Sequence, residues 1–571
     1  MRPTRYAGNG RELPLEAGPV VAEEAADVRA VQDAGKRRHM MRLLPPLIAL
    51  ATSTAAIAAP PVNPAMLGRI SEEGFNHSQV VDIAAYLADQ IGGRMTNSPA
   101  MRKAEAWTQG RFTDWGLKNV HTEGYEFGRG WWIESVSVRM TAPRPIVLRA
   151  IPVAWSQPTA GTITAPIVVA PIRKVEDLAA WRGKLAGKIV LTTYPEAPKE
   201  PTRMPFRRYS AEDIAKLDEY QQPSFDPEDV KKELKEFQLA PAIDAFLKAE
   251  GALAAVRMSY KENGLVTGEG YSFRTGLTMP GIEVAAEDYR RLARLAKVGP
   301  VTVEINSNVH FDDRDSKAYN VIAEIPGSDP KAGYVMAGAH LDSWVAADGA
   351  ADNGAGSAMI MEAARILAAT GVKPKRTIRF ALWSGEEQGL FGSAAYIDQH
   401  LARRPVPSDP AAAALGPYFV DTWPVTPLPG YRDLAAYFNI DNGSGKLRGI
   451  YAEGNYGVVP IFQEWLAPFA SMGAGAVVAK PTTGTDHEMM ERIGLPAFQF
   501  IQDPLDYSPN VHHSSLDSFD HLRPEDMRQG SVILATMLLD AANAEKPLPG
   551  KPVPTQPQPS DPFKYDDPAE R

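Results

Sequence analysis

From about residue 66 onward the apolar positions follow two different periods. Ser78–Gln90 (Val80, Val81, Ile83, Ala84, Leu87) and Ala100–Trp115 (Met101, Ala104, Trp107, Phe112, Trp115) space them three and four apart, which predicts amphipathic helices. Short β runs follow at Ser135–Met140, Ile146–Ile151, Ala165–Val169 and Lys188–Thr192, with Gly161, Pro166, Gly183 and Gly187 between or within them. Residues 196–245 break the pattern. They are charged, interrupted by proline and rich in helix formers, and read as a surface insertion. Shorter elements lead from there to a strand predicted at Val301–Ile305.

Between Asn320 and Ala541 strand and helix patterns alternate. Val321–Ile325, Val335–Ala339, Ile378–Trp383, Ala436–Ile440 and Ala497–Ile501 are continuous apolar runs, as expected of strands covered on both faces. Gly356–Ala369, Pro460–Met472 and Pro524–Ala541 are helical in pattern. The alternation predicts an α/β fold on a mixed, mostly parallel sheet with helices on both faces. From Lys546 the chain holds eight prolines in 26 residues and reads as a disordered tail, and no internal repeat is present.

At 571 residues the chain is long enough for more than one structural unit. The absence of cysteine excludes thiolate nucleophiles and every Cys-ligated metal site. Any metal must therefore be held by His and carboxylate, and any nucleophile must be Ser, Thr, Lys, a carboxylate or metal-activated water. A net charge of -9 with no long basic run argues against nucleic acid and anionic membranes as partners. Lys36, Arg37, Arg38 and Arg42 precede an apolar run, Leu43–Ala59, that ends in the small residues Ala56-Ile57-Ala58. This reads as a signal peptide at 40–58, too short to stay as an anchor, with Met40 or Met41 as the start and residues 1–39 as a gene-model extension. Export to the periplasm or the extracellular space is the expectation.

Five segments carry candidate chemistry, and four of them follow predicted strands, where open α/β sheets place their sites. In "GAHLDSW" His340 offers an imidazole to a metal, and the nearby carboxylate of Asp342 is placed to fix its tautomer. In "GAADNGAGSA" Asp352 lies in a turn of small residues that lets the backbone approach an ion. Helix capping by Asp352 or Asn353 is the plain structural alternative. In "ALWSGEEQGLFGS" two adjacent acids, Glu386 and Glu387, end an apolar strand. One of such a pair can bind metal while its neighbour takes a proton from activated water. "YFNIDNGSG" ends another strand in Asp441, and "NVHHSSLDSFDHL" offers His512 or His513 with Asp517.

Taken together, these segments resemble the dizinc exopeptidases that include bacterial leucine aminopeptidases and plasma glutamate carboxypeptidase (carboxypeptidase Q). The resemblance spans about residues 70–540 and is closest to the carboxypeptidase Q branch. That branch runs H-x-D, an acid in a small-residue turn, E-E after a strand, a strand-end acid and H-x-x-x-D. Here these read His340-Leu-Asp342, Asp352, Glu386-Glu387, Asp441 and His513-Ser-Ser-Leu-Asp517, so the pattern selects His513 over His512.

The resemblance implies two Zn2+ per chain. Asp352 would bridge them, His340 and Asp441 would complete one site, and Glu387 and His513 the other. Glu386 would be the general base and Asp342 would orient His340. Asp486 and His487 in "GTDHEMMERIGLPAF", with Tyr507 and Asp517, become substrate-facing or ligand-supporting candidates.

The implied fold is zinc-peptidase/phosphorylase-like, with a peptidase domain from 66–159 and 296–545. A β-rich protease-associated domain would be inserted at 160–295, where "GKLAGKIVLTTY" is its most recognisable piece. Asn353 departs from the second Asp that close relatives often carry, and the segments 196–245 and 403–430 are longer than usual, which leaves substrate range open. The implied function is an exported metallo-exopeptidase acting on dipeptides or short peptides. Peptides are the expected partners, a stable membrane anchor is not expected, and a homodimer is left open. Alternative readings are an aminopeptidase for longer peptides, a glutaminyl cyclase-like single-zinc acyltransferase, and an inactive binding protein on the same scaffold.

Overall fold

A computed structural model describes residues 62–198, 200, 204–219, 229–408, 413 and 416–555. The expected extension at 1–39 and signal peptide at 40–58 lie outside these residues.

The predicted α/β region forms an eight-stranded mixed sheet. Its spatial order is Lys118–Glu126, Lys317–Ile325, Thr377–Trp383, Tyr334–His340, Leu434–Asn439, Ala497–Gln502, Leu447–Tyr451 and Ala476–Val478. The four central strands are mutually parallel, and antiparallel pairs flank them. Successive side chains of a strand point to opposite faces, and both faces here are covered. In the strand Tyr334–His340, Val335, Ala337 and Ala339 enter one core with the helices Ala355–Ala369 and Pro524–Asn543. Tyr334 and Met336 enter another with Tyr396 and Ile397 of the helix Phe391–His400. That double burial is why these strands read as unbroken apolar runs. The edge strands Lys118–Glu126 and Ala476–Val478, and Leu447–Tyr451 next to the latter, carry weaker patterns that the apolar runs do not predict.

A second eight-stranded sheet runs in the order Ile146–Val147, Gly130–Ala142, Thr302–Asp312, Ile163–Val169, Ile189–Leu191, Ala254–Met258, Gly281–Val284 and Ala150–Pro152. Its two longest strands pair antiparallel from Gly130↔Asp312 to Ala142↔Thr302. They continue the pair Lys118–Glu126 and Lys317–Ile325 of the first sheet, so one two-stranded ribbon carries the chain out and back. The charged stretch at 196–245 contributes the helix Ala211–Lys216 and most of the helix Asp229–Ala249.

The start of the expected disordered tail is a correction. Leu548 is buried and donates its N–H to Ala435 O at 3.1 Å, and Lys551 N donates to Gly494 O at 2.9 Å. The prolines remove donors at alternate positions, yet the remaining N–H groups find carbonyls at the edge of the first sheet's core. No helix among the described residues is long and apolar enough to cross a membrane.

Candidate metal centre

At the carboxyl ends of the central strands the candidate ligands converge. His340 is the last residue of its strand and is fully buried. Glu386 and Glu387 follow Trp383 in a tight turn closed by Gly389 N and Leu390 N, both donating to Glu386 O at 2.8 and 3.0 Å. Gly385 turns with φ +67°, and a Cβ there would stand 2.5 Å from the Tyr125 hydroxyl. Asp441 follows the strand Leu434–Asn439. The strand-end expectation holds for these three groups. His513 instead sits in a loop eleven residues beyond the strand Ala497–Gln502.

The distances describe two adjoining sets around one acid. Asp352 Oδ1 lies 3.3 Å from His340 Nε2, and Asp352 Oδ2 lies 3.4 Å from His513 Nε2. Asp441 Oδ1 is 3.3 Å from His340 Nε2, and Glu387 Oε2 is 3.1 Å from His513 Nε2. Glu386 Oε2 stands 3.9 Å from His340 Nε2. Three overlapping groupings bring ligand atoms within reach of a single cation: His340 with Glu386 and Asp441, His340 with Asp352 and Glu387, and Asp352 with His512 and His513.

The surroundings fit cations. All eight carboxylate oxygens of Asp352, Glu386, Glu387 and Asp486 are buried without a well-aligned hydrogen bond among the described residues, as is His513 Nε2. Ionised carboxylates stripped of water and donors cost several kcal/mol each unless positive charge compensates them. Burial, then the neighbouring acids, push Glu386 well above the usual carboxylate range despite the opposing effect of His340. Burial and Asp352 raise Glu387 to about 7, and burial raises Asp486 to about 7. On His340 and His513 burial opposes protonation, but the carboxylates facing them outweigh it and raise both. The pocket thus holds more carboxylate than it can ionise unaided, and its donor set of imidazole and carboxylate suits zinc.

Supporting residues hold the ligands in place. Asp342 does so differently from expectation: His340 Nδ1 faces the main-chain oxygen of Asp342 at 2.9 Å, while the carboxylate oxygen is 3.8 Å away. That carboxylate accepts instead from Thr96 Oγ1 at 2.9 Å and from the N–H groups of Glu386 and Glu387, both at 3.3 Å. It shapes the turn of the two acids because amide donors compete better for it than an imidazole already served by a carbonyl. Asp517 accepts from Ala351 N at 2.6 Å and Asp352 N at 3.1 Å, which anchors the turn carrying Asp352. Asn353 caps the helix Ala355–Ala369 through Gly356 N and donates to Ile440 O, tying that turn to the strand end before Asp441.

The remaining candidates divide. Tyr507 borders the cluster, its ring edge-on to His512, and burial followed by Asp352 and Asp441 raises its hydroxyl well above the usual range. Asp486 is fully buried and shares the field of His340 and Asp441. His487 turns elsewhere and pairs with Glu453 at 3.3 Å. His512 stacks on His513 at 3.6 Å between ring centroids and stands 3.9 Å from Asp352 Oδ2, so it flanks the ligand set. Burial and the neighbouring His513 lower it to about 3.

Two contributors had no signal in the sequence. Arg94, fully buried, spreads its guanidinium over the carbonyls of Leu341, Asp348 and Gly349 and so locks the loop between His340 and Asp352. Glu269, from the second sheet, faces His513 Nδ1 at 2.8 Å. Burial resists its ionisation, but the charge and hydrogen bond of His513 hold it at about 2.

Known proteins resemble this chain in sequence and in fold. Residues 320–537 match peptidase family M28. The chain is 26% identical to carboxypeptidase Q of Bos taurus over 477 residues, covering 81% of this chain and 85% of that protein. It is 42% identical to leupeptin-inactivating enzyme 1 of Streptomyces exfoliatus over 88 residues, 15% of this chain and 20% of that one. Among solved structures, an M28 peptidase precursor from Shewanella amazonensis superposes with a TM-score of 0.59 at 23% identity, covering 86% of this chain and 99% of that one. BSAP, a zinc aminopeptidase from Bacillus subtilis, gives 0.53 at 18% identity, with 83% and 97% covered. The two superpositions speak for a shared fold.

Proposed function

We propose that this chain, a zinc-dependent metallo-exopeptidase of the M28 kind, holds two zinc ions and hydrolyses dipeptides or short peptides. The observation that carries the reading is Asp352, whose two oxygens face two different histidines at 3.3 and 3.4 Å and make no well-aligned hydrogen bond. His340 and Asp441 complete one site, and His513 and Glu387 the other. When bound, zinc supplies Lewis-acid chemistry, lowering the pKa of coordinated water to about 7 and polarising the scissile carbonyl.

Glu386 is the general base. Its carboxylate is buried beside His340, and no donor occupies either oxygen. It is therefore free to take the proton of the attacking water and pass it to the leaving amine. Asp342 holds Glu386 and Glu387 apart in orientation by accepting both their amides, so that one acid serves the ion and its neighbour the proton. Tyr507, whose ring lies edge-on to His512, would donate to the substrate carbonyl. Export rests on the basic stretch and apolar run at 36–59, and an inserted protease-associated module on the segment 160–295, which supplies four strands of the second sheet.

Metal analysis of the purified protein, with mass spectrometry of products from dipeptides and from N- and C-blocked peptides, tests this. Two zinc equivalents and free amino acids are expected. One equivalent with cyclised products favours an acyltransferase, and zinc without turnover of any peptide favours a binding protein. Cleavage confined to substrates with a free amine marks an aminopeptidase.

A further inference from the structure

The two histidines of the centre are held in different ways. His340 Nδ1 is served by a main-chain oxygen two residues away in its own loop. His513 Nδ1 is served by a carboxylate 244 residues distant in sequence, Glu269, on the loop between the strands Ala254–Met258 and Gly281–Val284 of the second sheet. We propose that Glu269 is a positioning residue of the metal centre, turning the His513 imidazole so that Nε2 faces Asp352 and Glu387. The inference rests on the dizinc reading.

An imidazole that gives one nitrogen to a metal keeps an N–H on the other. An acceptor for that N–H fixes the tautomer and the ring plane and raises the basicity of the ligand nitrogen. Glu269 supplies it at 2.8 Å and is itself held: Tyr260 OH donates to Glu269 Oε1 at 2.7 Å, and Arg257 Nη2 donates to Glu269 O at 2.6 Å. Arg257 is fixed in turn by Glu283 through Nε at 3.0 Å and Nη2 at 2.7 Å. The loop is also joined directly to the His513 loop, since Ser515 N donates to Val266 O at 2.9 Å. The second sheet therefore does more than flank the site. It completes the surroundings of one ligand, and the centre as folded needs residues from both sheets.

The test compares full-length wild type, Glu269→Gln, Glu269→Ala and His513→Ala. Each is equilibrated against graded chelator and assayed for bound zinc, and the melting of each metal-free protein is recorded. Wild type is expected to hold two equivalents. Glu269→Gln should release one of them at about 10-fold lower chelator, and Glu269→Ala at about 100-fold lower, with the other equivalent unmoved. His513→Ala identifies which equivalent responds. Glu269→Gln keeps the side chain's shape and an acceptor oxygen but loses the charge facing His513, so its metal-free melting temperature separates lost stability from lost zinc affinity. Release curves identical to wild type in Glu269→Gln and Glu269→Ala overturn the inference and leave two zincs intact. So does lowered metal-free stability with unchanged zinc affinity, which marks a structural role only. Should Glu269→Ala not fold, the isosteric Gln variant decides alone. A wild type that never holds a second zinc overturns the dizinc reading itself, and this inference with it.

Discussion

Replacing Glu386 by Gln is the sharpest perturbation of the proposed chemistry. The side chain keeps its length and planarity but loses the ability to accept a proton. In the folded protein neither Glu386 oxygen receives a well-aligned hydrogen bond, so the change breaks none. It also removes an ionisable group from a pocket where burial, then Asp441, Asp486 and Glu387, already push that carboxyl upward. Metal-free stability should hold or rise slightly. General-base catalysis contributes about 10²- to 10⁴-fold, so kcat should fall by that factor, about 3–5 kcal/mol in the barrier. KM and zinc content should stay near wild type. Turnover of a dipeptide at saturating substrate, with zinc measured on the same sample, gives the answer. Near wild-type turnover with both metals present would refute the assignment of base. Loss of one zinc would refute it differently, because Glu386 also lies in ligand reach with His340 and Asp441. The roles of Glu386 and Glu387 would then be exchanged, and Glu387→Gln would keep its metal.

Asp352→Asn should weaken both zinc equivalents together, because one side chain faces both histidines; selective loss of a single equivalent in a zinc titration would refute bridging. Removing zinc should make stability depend on pH. In the metal-free protein Glu387 and Asp486 are raised to about 7 and Asp517 to about 8, against about 4 when unfolded. Their protonated forms favour the fold below pH ~4, and that stability drains away as pH rises through ~8, because the unfolded chain ionises first. Urea midpoints of chelator-treated protein should therefore fall between pH 5 and 8, whereas a flat profile would contradict the burial argument. Gly392→Ala should destabilise by about 1–3 kcal/mol, since its Cβ would stand 2.3 Å from both Asn320 Oδ1 and Ser384 O. An unchanged urea midpoint for that variant would show that the turn before Glu386 can relax.

The sequence by itself determined five of the eight strands of the first sheet and the residues at the ends of the central ones. An apolar run buried on both faces, followed at once by His340, Glu386-Glu387 or Asp441, is a local pattern with a local physical cause. The resemblance of the assembled motifs added the division between His512 and His513, and in the tertiary structure His513 Nε2 stands 3.4 Å and His512 Nε2 3.9 Å from Asp352 Oδ2. Other features were decided only in three dimensions. The pattern of alternation could not separate Asp486, which enters the cluster, from His487, which pairs with Glu453. It could not reveal Arg94 beneath the loop, nor Glu269 arriving from the other sheet, nor Asp342 serving the acid turn rather than the imidazole. Periodicity records which face of an element is buried. What a buried polar group bonds to depends on donors and acceptors brought together from distant segments, and those meet only when the two sheets close around the site.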